Sequence, residues 1–255
     1  MRAYELALAA RSSLFRKEVR AADGLPLPPA RLRAQVGPLH ADADFFLESG
    51  KHNAELIQDV LIEAGSSTEQ LKALLDWGCG CGRVLRHWSA LPHTRVLGCD
   101  INPKMVDWCN DHLPFVEAAV NDLSPPLPYQ DSTFDLAYAF SVMTHLSEEL
   151  QRAWMQECSR VLKPGGYLLF STLGEYYVSR NRLTADERRS FESGNLVVLY
   201  EGSAGSSLCS AYHPPEYVAR ELAGELEAVA FRAAADDGRH DIHVFRKPAA
   251  TAVGS

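Results

Sequence analysis

Short apolar runs alternate with amphipathic stretches along most of this chain. Residues 52–64 set Leu56, Ile57, Val60 and Leu61 at helical spacing, and Gly65 stops the run. From there the pattern switches repeatedly between strand and helix. Ala73–Trp77 reads as a buried strand, residues 83–88 as a helix with Val84, Leu85 and Trp88 inward, and residues 95–99 as a second strand. Asn102 is placed to cap the next helix and Pro103 to occupy its first position. Residues 115–120 and Phe134–Ala139 give two more strands. Ser147 caps a helix whose first turn holds Glu148 and Glu149, which suit the positive dipole end. Its stripe is Leu150, Trp154, Cys158 and Val161, and Lys163-Pro164-Gly165-Gly166 turns the chain into a fifth strand, 167–172.

The remainder is less regular. Residues 180–194 are polar with room for a short helix, 195–200 read as a strand, 202–207 as loop, and 215–222 as a helix begun by a proline pair. Two last strands, 227–231 and 241–246, are joined by residues 234–238 as an antiparallel hairpin. Strand and helix in regular alternation predict an α/β, Rossmann-like, doubly wound sheet of seven strands, mainly parallel, with the final strand inserted antiparallel. The domain spans residues 45–248, with an insert at 176–212. Before it, residues 1–44 are expected to form a short helix within 1–20 and then an extended cover, because Gly24, Pro26, Pro28, Pro29, Gly37 and Pro38 break regular structure. Residues 249–255 are expected to be a flexible tail.

Composition adds boundaries. The 255 residues suit one large α/β domain, and 46% hydrophobic with 23% charged residues is ordinary for a globular protein. A net charge of -8 without a basic stripe argues against a nucleic-acid partner. No window is long enough to span a membrane, and residues 1–20 lack the form of a signal peptide. The six cysteines do not have disulfide-framework spacing, so reduced thiols and a cytoplasmic location are expected.

The chemistry concentrates at Asp76-Trp77-Gly78-Cys79-Gly80-Cys81-Gly82-Arg83, between a strand and a helix. Glycines there permit a sharp turn and close approach of a ligand. The spacing is G-x-G-x-G, not the G-x-G-x-x-G of dinucleotide sites. An acid at Asp76 would repel a pyrophosphate but suit a ligand carrying an ammonium group. Asp100, 24 residues on, suits a ribose diol. Cys79 and Cys81 lack the further ligands a structural zinc site needs, so no metal is expected.

These motifs resemble the class I S-adenosylmethionine-dependent methyltransferases, over residues 45–248. Asp76 to Gly82 is similar to the family's glycine-rich first motif and Asp100 to its ribose-binding acid, with Ile101 along the adenine. Asn121-Asp122-Leu123 resembles the segment that meets the adenine ring. Phe140-Ser141-Val142 ends the fourth strand where the methyl donor would lie, and Arg160 to Gly166 resembles the hallmark turn before the fifth strand. The resemblance implies S-adenosyl-L-methionine as cofactor, held by Asp76, Gly78, Cys79, Gly80, Gly82, Asp100, Ile101, Asn121, Asp122, Leu123 and Phe140.

The implied acceptor is a small molecule or sugar, methylated on oxygen, with neither nucleic acid nor membrane as partner. His145, just past the fourth strand, is the candidate base for a hydroxyl, set against a purely structural role in holding its loop. Tyr176 and His213 flank the insert and are candidate acceptor contacts. Transfer to nitrogen or carbon, and a non-catalytic partner subunit of the same fold, are the alternatives; an NAD-dependent oxidoreductase is disfavoured by the glycine spacing. Whether the chain acts as a monomer or a homodimer is left open.

Overall fold

The structure, a computed structural model, describes residues 21–249. The expected helix within residues 1–20 and the tail from residue 250 lie outside the described residues. One seven-stranded sheet organises the rest, in the order β3-β2-β1-β4-β5-β9-β8. Its strands are β1 (Ala73–Trp77), β2 (Arg95–Asp100), β3 (Val116–Val120), β4 (Phe134–Ala139), β5 (Leu162–Thr172), β8 (Glu227–Asp236) and β9 (His240–Arg246). The first five are mutually parallel. β9 enters antiparallel between β5 and β8, as expected. A separate two-stranded ribbon, β6 (Val197–Leu199) with β7 (Ser210–Tyr212), belongs to the insert.

Side-chain alternation on β1 builds two cores at once. Leu74 packs on one face with Phe46, Ile57, Val60 and Leu61 of α2 (Ala43–Glu63). Leu75 and Trp77 pack on the other with Trp154, Met155, Cys158 and Val161 of α4 (Glu148–Val161). Burial on both faces explains why the parallel strands read as continuous apolar runs. The caps form as the sequence dictates: Asn102 accepts from the Lys104 N–H at the start of α3 (Pro103–His112), and Ser147 from the Leu150 N–H.

The details differ in four places. Residues 83–88 make only a 3₁₀ turn at Leu85–Trp88, because the glycine-rich loop uses up the segment before a full helix can start. Residues 21–38 are not wholly extended: α1 (Ala30–Val36) lies within them, and its Arg33 side chain donates to the carbonyls of Pro28, His40 and Ala41. The insert holds two helices, α5 (Glu175–Arg180) and α6 (Ala185–Glu192), the latter begun by a capping box between Thr184 and Glu187. After β7, residues 215–222 form a single turn, Pro215–Tyr217, that widens into a π turn at Val218–Leu222.

The chain order reverses beside β1, with β2 on one side and β4 on the other. A crevice at the carboxyl ends of the strands is expected at such a switch point.

Candidate active site

A cavity of about 570 Å³ opens there. Its wall follows the strand order. Asn121, Asp122 and Leu123 come from the end of β3, Asp100, Ile101 and Asn102 from β2, Trp77, Gly78 and Gly80 from β1, and Phe140 to Val142 with His145 and Leu146 from β4. Two further segments close it: residues 34–38 of the N-terminal cover and 205–207 of the insert.

The β1 loop is shaped by its glycines. Gly78 has φ +79°, where a side chain is disfavoured, and a Cβ there would lie 2.4 Å from Val142 Cγ2. Asp100 Oδ2 accepts from the Gly80 N–H at 2.8 Å and Oδ1 from the Asn102 N–H at 2.8 Å. Burial pushes the Asp100 carboxyl up, and these two bonds oppose the rise. The carboxylate is thus held rigidly with lone pairs to spare.

At the β3 end, Asn121 Nδ2 donates to the Asp122 carbonyl at 2.7 Å, while its Oδ1 is buried without a partner. A buried unpaired acceptor beside a cavity marks a place for a ligand donor. Ile101 and Leu123 stand half-exposed beside it, 48% and 39%, and supply apolar faces for a flat ring. A rigidly held carboxylate, an orphan acceptor and an apolar cleft fit an adenosine group.

At the β4 end, His145 Nδ1 lies 2.8 Å from the Cys209 carbonyl, so Nδ1 is the nitrogen that donates to it. The His145 carbonyl accepts from the Gly205 N–H at 2.8 Å. Gly205, φ +82°, is pressed so close to Leu123 that a Cβ would sit 2.5 Å from its Cδ1. The insert loop is therefore bolted to both ends of the cavity.

A family profile described as a methyltransferase domain matches residues 75–170. Over 103 residues, 39% of its length, the chain is 36% identical to a malonyl-[acyl-carrier protein] O-methyltransferase of Hahella chejuensis. Over 101 residues, 38% of its length, it is 37% identical to a tRNA (carboxymethyluridine(34)-5-O)-methyltransferase of Arabidopsis thaliana. The chain spans 36% of the first relative's own length and 23% of the second's. The fold matches an S-adenosylmethionine-dependent methyltransferase of Methanosarcina mazei with TM-score 0.56 at 21% identity, covering 74% of this chain and 97% of that one. Residues 75–170 thus match a methyltransferase domain, and the fold around them is that of S-adenosylmethionine-dependent methyltransferases.

Within this fold, Gly78, Gly80, Asp100, Ile101, Asn121, Asp122, Leu123, Phe140 and His145 all line the cavity. Five other sequence candidates do not. Asp76 is buried on the opposite face of β1, where it accepts from the Tyr138 hydroxyl at 3.0 Å, because strand alternation gives the cavity side to its neighbour Trp77. Burial raises its carboxyl to about 7. Cys79 and Gly82 pack under the loop, against Gly98 and Leu113 respectively. Tyr176 is corrected more strongly: it lines a separate depression with Glu216 and Phe231, its ring under Arg180. His213 is fully buried, 3.0 Å from Gln151 Oε1, and burial drops its imidazole to about 3. It is a neutral core group and not an acceptor contact.

The sequence reading missed the roof. Residues 34–38 and 205–207 reach the cavity from elements distant in the chain. Gly37-Pro38 and Gly205-Ser206-Ser207 signalled loops, but nothing in them signalled what they cover.

Proposed function

We propose that the protein transfers a methyl group from S-adenosylmethionine to a hydroxyl of a small molecule or sugar. Asp100 holds the ribose, Asn121 Oδ1 receives an adenine donor, and Ile101 and Leu123 pack the ring. When bound, the cofactor supplies an electrophilic methyl on its sulfonium. Trp77, Val142, Leu146 and Trp154 give the cavity an apolar wall that limits water at the reacting end. His145 Nε2 accepts the acceptor's proton, while Cys209 fixes the tautomer. The observation that carries the reading is the His145 imidazole, tied through Nδ1 to the Cys209 carbonyl, in the wall of a cavity fitted to adenosine.

The malonyl-[acyl-carrier protein] O-methyltransferases among the relatives favour oxygen as the methylated atom. The tRNA enzymes point elsewhere, but a net charge of -8 opposes binding to a polyanion. Calorimetry with S-adenosylmethionine, S-adenosylhomocysteine and NAD tests the cofactor: the first two bind and NAD does not. A hydroxyl-acceptor screen read by mass shift then tests turnover. With an acceptor in hand, His145→Gln lowers kcat by about 10²–10⁴-fold at unchanged cofactor affinity. Normal kcat in the folded variant, or a product methylated on nitrogen or carbon, removes the base.

A further inference from the structure

A second polar array reaches the same cavity from the other side of the β4 end. Ser141 lines the cavity and has φ +58°, a left-handed backbone that a non-glycine residue adopts at a cost. Its amide donates to Ser171 Oγ at 2.7 Å, which locks the turn. Ser141 Oγ lies 3.5 Å from His240 Nε2. On the far side of that ring, His240 Nδ1 lies 3.5 Å from Asp236 Oδ2. Asp236 is itself fixed by Asn53 Nδ2 at 2.6 Å, and Asn53 is held by Arg83. The Tyr177 ring packs on the imidazole at 4.9 Å between centroids, and its hydroxyl lies 3.3 Å from His240 Nε2 and 3.4 Å from Nδ1, so Nε2 is shared between the Ser141 and Tyr177 hydroxyls.

Hydroxyl, imidazole and carboxylate stand in series, and of the three residues Ser141 lines the cavity. We propose that Ser141, backed by His240 and Asp236, is an activated hydroxyl that serves a second protic group of the acceptor, beside the one that faces His145. This rests on the hydroxyl-methylation reading for its role, but the activation itself does not. The acceptor class it implies carries two neighbouring protic groups, as a diol does. As the second group's proton passes to Ser141 Oγ, the Ser141 proton passes to His240 Nε2, and Asp236 stabilises the resulting imidazolium. Ser141 is the contact residue; His240 and Asp236 are positioning residues that act through it. Around the pair stand Asp241 and Arg239 of the hairpin, Glu175 and Tyr177 of α5, and Arg83. Burial raises the Asp236 carboxyl, but His240, Asn53 and Arg83 outweigh it and hold it below its usual range, so it is an anion at neutral pH.

The test needs no acceptor. The full chain is treated with an alkyl fluorophosphonate and mapped by peptide mass spectrometry. An activated Ser141 forms an Oγ–P bond as the P–F bond breaks; fluoride leaves and the serine proton goes to His240. One adduct on Ser141 is expected. Its rate falls by about tenfold or more in His240→Gln and Asp236→Asn, rises with pH along a single titration in the wild type, and is unchanged in His145→Gln. No Ser141 adduct, a flat pH profile, or equal rates in folded His240→Gln overturns the proposal. Because His145→Gln is silent here and decisive in the kinetic test, failure of one reading is distinguishable from failure of the other.

Discussion

Two aspartates of the same motif region show how placement decides chemistry. Asp100 faces the cavity with both oxygens pinned by backbone N–H groups. Asp100→Ala removes a charged acceptor from the proposed ribose position, a loss of about 1.5–3 kcal/mol, and cofactor affinity measured by calorimetry is expected to fall by about 10–150-fold. Asp76 is turned the other way, into Tyr138, and its carboxyl is raised from 3.8 to about 7 by burial, with the Tyr138 hydrogen bond opposing. A raised carboxyl favours the folded state when protonated, so that stability is full below about pH 4 and is lost as pH rises to about 7. Asp76→Asn keeps an acceptor for Tyr138 and never ionises. Its stability advantage over the wild type, followed by urea denaturation, therefore grows between pH 4 and pH 7 to a few kcal/mol, about 1.4 per pKa unit. An advantage that does not change with pH contradicts the ionisation of Asp76.

Among the elements, the β1 loop and the insert loop carry the tightest constraints. Gly78→Ala forces a side chain into φ +79° and against Val142. The backbone term alone costs about 1–2 kcal/mol, read from the denaturation midpoint, and the displaced Val142 lowers cofactor affinity as well. The helix caps were legible because they are local: Asn102 and Ser147 need only the next three residues to act. The 3₁₀ turn at Leu85–Trp88 was read as a helix because apolar spacing over six residues does not record how much backbone the preceding glycine loop consumes. Tyr176 and His213 were misplaced for a related reason. Proximity to a variable insert says that a residue is near the site's rim, not which side of the insert it faces. β7 runs inward beside Leu173, which takes His213 into the core and leaves Tyr176 outside.

At the scale of the molecule, the cavity is closed by segments that begin far from it. The cover 34–38 is fastened through Arg33, 6% exposed, to three backbone carbonyls. Arg33→Ala leaves those carbonyls without their donor. The roof then opens more often, and cofactor dissociation in stopped flow speeds up by about tenfold for a loss near 1.4 kcal/mol, while the β1 loop and Asp100 stay in place. Unchanged dissociation would show that residues 34–38 do not retain the ligand.

The sequence by itself determined the sheet, the inserted last strand, the glycine loop and the Asp100 carboxylate at the end of β2. Each of these is encoded over a few consecutive residues: alternation selects strands, caps start helices, and glycines permit positive φ. Only the tertiary structure decided which face of β1 holds Asp76, that Asn121 Oδ1 is left without a partner, and that His145 is wired to the insert through Cys209. The same holds for Asp236, His240 and Ser141, separated by up to 99 residues in sequence and joined only because β9 threads between β5 and β8. Local rules set the backbone conformation of each segment; contacts between distant segments depend on how the packed sheet brings their ends together.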